Sequence, residues 1–203
     1  MLASTAMALV IAYIVIDVAL QAVSPHYSPV SDAESNLAVG PFGWVMQANF
    51  ASRAVMSGCL VGAIWLTGSS SSRKSIGLAL VALAWICSLA LVFAAADINR
   101  PGEFGMTPRT LVGAVHVVFA SAGFIGILIG MLLLLPWVSQ TLRGPSPAVF
   151  LAVAVAGLLS LGASLAFYPQ VAGLAERLCL LGILGWAFFV SLGIRRQLTP
   201  LHG

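Results

Sequence analysis

Long apolar runs broken by short polar ones set the pattern of this chain. A helix needs about 20 mostly apolar residues to cross roughly 30 Å of hydrocarbon. Six stretches meet that requirement: Leu2–Val23, Trp44–Leu66, Ser75–Ala96, Thr110–Leu135, Ala148–Phe167 and Gly173–Ile194. The breaks between them carry Gly, Pro and polar residues, the ordinary punctuation between helices. The alternating segments of about ten residues that mark a membrane β-barrel are missing. The pattern predicts an all-α polytopic bundle of six transmembrane helices forming one domain over residues 1–203. There is no room for a soluble domain, and no internal repeat is visible.

The longest polar interruption follows the first run, and it leads into the second, which carries Arg53 well inside it. Within this first loop, Ser31-Asp32-Ala33-Glu34 has the S-x-x-E form of a capping box. It precedes Asn36–Val39, and Gly40-Pro41 stops the run. The expectation is a short helix lying at the membrane surface over the mouth of the bundle. His26, Tyr27, Phe42 and Trp44 would sit at headgroup level, where aromatic belts form.

Basic residues set the orientation. Arg73 and Lys74 lie between the second and third runs, Arg143 between the fourth and fifth, and Arg195 and Arg196 after the sixth. All these connections share one side of a six-span bundle. The acids Asp17, Asp32, Glu34, Asp97, Glu103 and Glu176 fall on the other side or in its half of the membrane. Both termini are therefore expected in the cytoplasm, with the first loop outside. A cleavable signal is not expected: a basic n-region is lacking, and Leu2–Val23 exceeds a signal core of about 7–15 residues.

Composition narrows the function classes. Only 7% of the residues are charged and 60% are hydrophobic, with a mean hydropathy of +1.05. A soluble domain carries about 25% charged residues, so an ordinary soluble fold is excluded. The net charge of +3 comes from nine basic residues spread along the chain, which make no nucleic-acid surface. Cys59, Cys87 and Cys179 each sit inside an apolar run and read as small hydrophobes, with no disulfide or metal expected from them.

Charge inside the membrane is costly and points to function or to a partner. Asp17 lies roughly 9 Å and Arg53 about 13 Å below the same surface at 1.5 Å per residue. Each belongs to a polar stripe at helical spacing: Tyr13, Asp17 and Gln21 on the first helix, and Asn49, Arg53 and Ser57 on the second. Pairing Asp17 with Arg53 would offset much of the burial cost. Asp97 and Arg100 close the third run, Arg109 and His116 share a face of the fourth, and Glu176-Arg177 open the sixth. These groups converge on one end of the bundle and suggest a water-filled outward cavity. A serine hydrolase is disfavoured because Ser31 and Ser35 lack a GxSxG setting. A metal site from His26, His116 and Asp97 or Glu34 lacks any HxxxH or HExxH spacing. Neither a metal nor a cofactor is expected. Gly58/Gly62 and Gly126/Gly130 have the GxxxG spacing of close helix packing, within or between protomers.

The run HYSPVSDAESNLAVGPFGWVMQANFASRA, then Asp97, then TPRTLVGAVH ending at His116, then GLAERLCLLGILGW from Gly173 to Trp186 resembles the DUF998 family. That family comprises bacterial and archaeal multispanning proteins of unassigned function. Its recurring features match Ser31-Asp32, Gly40-Pro41, Arg53, Asp97, His116 and Glu176-Arg177 here. The fold is also similar to the six-helix Frag/DRAM/Sfk-like group, some of whose members are implicated in remodelling lipid anchors or in lipid distribution. The resemblance implies a prokaryotic cytoplasmic membrane location and a lipid-directed role, with no catalytic assignment.

The leading expectation is an outward-facing polar cavity that binds or processes a lipid headgroup or similar amphiphile. Arg53 and Arg177 would meet an anionic headgroup, with Asp17, Asn49, Arg100, Arg109, Ser31, Asp32 and Glu34 around it. His116 with Asp97 or Glu176 would serve as the acid/base pair. One alternative is a small proton-coupled transporter using Asp17 and His116 as relay groups. The other is a non-catalytic subunit that meets a second copy or a membrane-protein partner through the GxxxG faces.

Overall fold

The computed structural model describes residues 1–25, 27–100, 103–142 and 147–198. Six long helices account for most of them, and no strand occurs among the described residues. They are α1 (Leu2–Val23), α2 (Gly43–Trp65), α3 (Ser72–Leu91), α4 (Leu111–Thr141), α5 (Pro147–Phe167) and α6 (Ala172–Leu198). A 3-10 turn, Glu34–Ala38, interrupts the α1–α2 connection, and another, Pro169–Val171, joins α5 to α6. Four of the helices, α1, α3, α4 and α5, together with Pro169–Gln197, are long and apolar enough to cross a membrane. Helix α2 is as long, but Gln47, Asn49, Ser52, Arg53 and Ser57 dilute its apolar character.

Small residues set how closely the helices approach, as membrane packing requires. A Cβ on Gly77 of α3 would lie 3.2 Å from the Gly130 carbonyl oxygen of α4. On α5 and α6, a Cβ at Gly157 or Gly182 would strike the backbone of Cys179 or Ala154. Both GxxxG pairs are occupied within the chain: Gly126 and Gly130 pack on α3, Gly62 faces Leu2, and Gly58 faces Trp85. Tyr13, Met46, Phe50, Met131 and Trp186 fill the shared core. Apolar side chains such as Ile11, Val15, Val18, Val118 and Leu132 point outward, as surfaces facing lipid do.

The helix expected over Ser75–Ala96 stops at Leu91. The described residues between Leu91 and Leu111 form no helix, and the Thr110 side chain caps α4 by accepting from the Gly113 amide at 2.9 Å. The capping box expected at Ser31–Glu34 does not form. The 3-10 turn begins at Glu34 with Ala33 as its N-cap and no side-chain cap. The reason is burial: Glu34 is drawn into the bundle, and Ser31 bonds Asp32 instead, at 3.4 Å. Glu34, Leu37 and Ala38 are all buried, so the segment is a plug inserted among the helices rather than a helix lying on them.

At the other end of the bundle, Lys74 is not a free loop charge. Its Nζ donates to the carbonyls of Thr67 (2.6 Å) and Ser69 (3.3 Å) and lies 4.6 Å from the Trp137 ring centre. It satisfies carbonyls that the end of α2 and its following turn leave without amide partners. Arg73, Arg195 and Arg196 at this end are exposed. Arg143 and His26 lie outside the described residues.

Candidate functional site

The plug carries its carboxylate to α1 and α2. The Tyr13 hydroxyl donates to Glu34 Oε2 at 2.7 Å and accepts from Arg53 Nη1 at 3.1 Å. Arg53 Nη1 stands 3.7 Å from the same carboxylate oxygen. The guanidinium also lies over the rings of Phe50 and Tyr13, at 5.0 and 5.4 Å from their centres. Burial outweighs the attraction of Arg53 and pushes the Glu34 carboxyl up to about 8. Asp17 therefore does not pair with Arg53. Its Oδ2 accepts from Gln21 at 2.6 Å, one turn along its own helix, because the plug delivers a nearer carboxylate to Arg53.

Helix α6 anchors the rest of the first loop. Glu176 Oε2 accepts the Glu34 amide at 2.9 Å, and the Leu174 amide donates to the Val30 carbonyl at 3.0 Å. Arg177 Nη1 donates to the carbonyls of Pro29 (2.9 Å), Asp32 (3.2 Å) and Gly173 (3.0 Å), while Nη2 bonds the Tyr27 hydroxyl. Arg177 thus holds the loop with both Nη atoms, while its buried Nε has no partner among the described residues. Burial raises the Tyr27 phenol well above its ordinary range despite that guanidinium, so the hydroxyl keeps its proton.

The segment that follows α3 meets the start of α4 through Asp97 and His116. Asp97 Oδ2 accepts the amides of Arg109 (2.6 Å) and Thr110 (2.8 Å), and Oδ1 accepts the Thr110 hydroxyl (2.9 Å). These bonds hold its carboxyl below the usual carboxylate range. They favour a permanently ionised cap for α4 rather than a proton shuttle. His116 is buried, and its Nδ1 lies 2.7 Å from the Ala94 carbonyl. A carbonyl can only accept, so Nδ1 carries the proton and Nε2 presents a lone pair.

Two adjoining hollows meet at these residues. The larger, about 440 Å³, runs between α4 and α5 beneath the plug. Ser35, Asn36, Asp97, His116 and Glu176 line its polar part, and Phe124, Ile125, Leu158, Leu161 and Leu165 its apolar part. The smaller, about 70 Å³, shares His116 and Glu176 with it and reaches Glu34 and Arg53. A third, about 500 Å³, lies under the first loop and is lined by Ser31, Asp32, Arg100 and Glu103 among others.

The expected site residues therefore divide. Glu34, Arg53, His116, Glu176 and Asp97 border the two adjoining hollows. Asn49 is buried and spends its amide on the Tyr13 carbonyl at 3.1 Å, tying α1 to α2. Arg109 pairs with Glu103 on the surface, and Arg100 with Ser31 and Asp32 faces the separate third hollow. Tyr13, Tyr27 and Ser35 were not expected at the site. The spacing of Tyr13 and Asp17 on one α1 face was the available signal for Tyr13. No group of three His, Cys, Asp or Glu residues is placed to hold a metal among the described residues.

No curated protein and no solved structure matches the chain. A family model described as "Protein of unknown function (DUF998)" matches residues 6–193, nearly the whole length and every element of the site. The chain belongs to the DUF998 family, whose function is unknown.

Proposed function

We propose that this membrane protein crosses the bilayer six times with both termini in the cytoplasm, and binds an amphiphile in its outer half. The slot between α4 and α5 takes the chain of that amphiphile, and the polar groups beneath the plug take its head. The orientation rests on charge: exposed Arg73, Arg195 and Arg196 mark one end, while Asp32, Glu34, Asp97 and Glu103 mark the other. The observation that carries the reading is the 440 Å³ hollow, polar at His116 and Glu176 and apolar along Leu158, Leu161 and Leu165. A cavity of that size lies in the range of small-molecule sites. If the bound molecule is also modified, His116 Nε2 is the proton acceptor placed to do it.

Gly162 gives the test. It lines the slot, and a Cβ there meets nothing within 4 Å. Gly162→Phe should fill the slot without displacing backbone. Native mass spectrometry of the purified protein should show co-purifying lipid adducts on the wild type and their loss in Gly162→Phe, with the melting temperature preserved. Identical adducts on both proteins would sink the proposal.

A further inference from the structure

The lining of the slot selects a class of headgroup. Around the larger hollow the ionisable groups among the described residues are Asp97, Glu176 and His116, with no Lys or Arg. The Nη atoms of the nearby guanidinium groups are already committed, and their unpartnered Nε atoms are enclosed in protein, away from the hollow. Arg53 is shared by Glu34 and Tyr13, and Arg177 by three loop carbonyls and Tyr27. Asp97 is likewise spent on the start of α4.

What stays open is acceptor capacity. His116 and Glu176 are only 4% and 7% exposed, yet Nε2 of the first and Oε1 of the second make no hydrogen bond among the described residues. Both side chains border the slot and its smaller neighbour. Neither atom is sealed in protein; both are free acceptors open to the hollow, so a ligand that brings N–H groups can bond to them. A phosphate or carboxylate would meet the like charge of Asp97 and Glu176, with only neutral donors such as Ser35 and Asn36 to offset it. The slot wall from Gly113 to Ile125 on α4 spans about 18 Å at 1.5 Å per residue, enough for an alkyl chain.

We propose that the site takes a single-chain amphiphile with a protonated amine head, donating to Glu176 Oε1 and His116 Nε2 while its chain lies along Leu158, Leu161 and Leu165. This rests on the amphiphile reading above and reverses the anionic headgroup expected from Arg53 and Arg177.

Dodecylamine and dodecyl phosphate share a chain and differ in head. Each is titrated into the purified full-length protein in nonionic detergent, and adducts are counted by native mass spectrometry. The amine should bind at least about tenfold more tightly than the phosphate, because a charge-assisted hydrogen bond replaces a like-charge contact. Glu176→Gln keeps an oxygen for the Glu34 amide but removes the charge, and should weaken the amine by about tenfold. His116→Leu serves as the second variant should Glu176→Gln not fold, with the same expected loss. Phosphate binding equal to or tighter than amine, abolished by Gly162→Phe, would overturn the amine assignment and leave the slot intact. An amine preference untouched by both Glu176→Gln and His116→Leu would overturn it too. If Gly162→Phe alters neither adduct, or neither probe binds, the slot reading itself falls.

Discussion

The Glu34 carboxylate lies 3.7 Å from the Arg53 guanidinium, and the Tyr13 hydroxyl bonds to both. One phenol thereby ties the plug to two helices. Tyr13→Phe leaves the buried carboxylate short of a donor, which costs about 1–3 kcal/mol. Arg53→Ala removes the cation paired with it and should cost more, about 3–5 kcal/mol. Thermal unfolding in detergent at a pH above about 8, where the Glu34 carboxyl is ionised, should rank the two variants in that order below wild type.

Glu34 also makes stability depend on pH. Its carboxyl is raised from the ordinary 4.5 to about 8 in the folded protein, so the folded state holds the extra proton between those values. Stability should therefore fall as pH rises through that window, and the loss should be complete above about 8. The groups acting on Glu34 are Arg53 of α2, Asp17 and Tyr13 of α1, and Glu176 of α6. Glu34→Gln, which cannot titrate, should flatten the melting temperature across the same pH range.

Two glycines should respond oppositely to the same change. Gly→Ala inside a helix ordinarily stabilises by about 0.5–1 kcal/mol, and at Gly162, with open space around it, that gain should be realised. At Gly113 the new methyl would strike the Asp97 carboxylate that caps α4. Gly113→Ala should instead destabilise by about 1–3 kcal/mol, an overpacking cost. Paired thermal melts give the two signs directly.

Arg177 holds three carbonyls with one nitrogen and a phenol with another. Lysine keeps the charge but not the planar fork. Arg177→Lys should therefore speed amide hydrogen exchange in the first loop from Tyr27 to Ala33, while α3 and α4 exchange as in wild type. Uniform protection across that loop would show that the fork is dispensable.

The proposed orientation has its own test. A cysteine at Ser70, in the exposed α2–α3 turn, should react with an impermeant thiol reagent only in inside-out vesicles. A cysteine at Val30, exposed in the first loop, should react only in right-side-out cells. Because Cys59, Cys87 and Cys179 are all at least partly buried, they should contribute little background.

Sequence alone determined the family, through the motifs that match it, and the all-helical class and six helices, through long apolar runs and their breaks. The start and end of α1 coincide with the ends of its run. It also singled out Arg53, His116 and Glu176, since an ionisable group inside apolar sequence is conspicuous whatever the packing, whereas Glu34 read as a loop cap. Only the tertiary structure decided which of these groups meet. The S-x-x-E spacing suggested that Glu34 would stay local as a cap, but the loop turns inward, and α6 fixes that turn by accepting the Glu34 amide with Glu176. Glu34 then displaces Asp17 as the partner of Arg53, and Arg177 is drawn away from the cavity to the loop carbonyls. Helical spacing specifies which residues share a face. It does not say how deep a connecting loop inserts, and that depth set the partners of nearly every charge at this end.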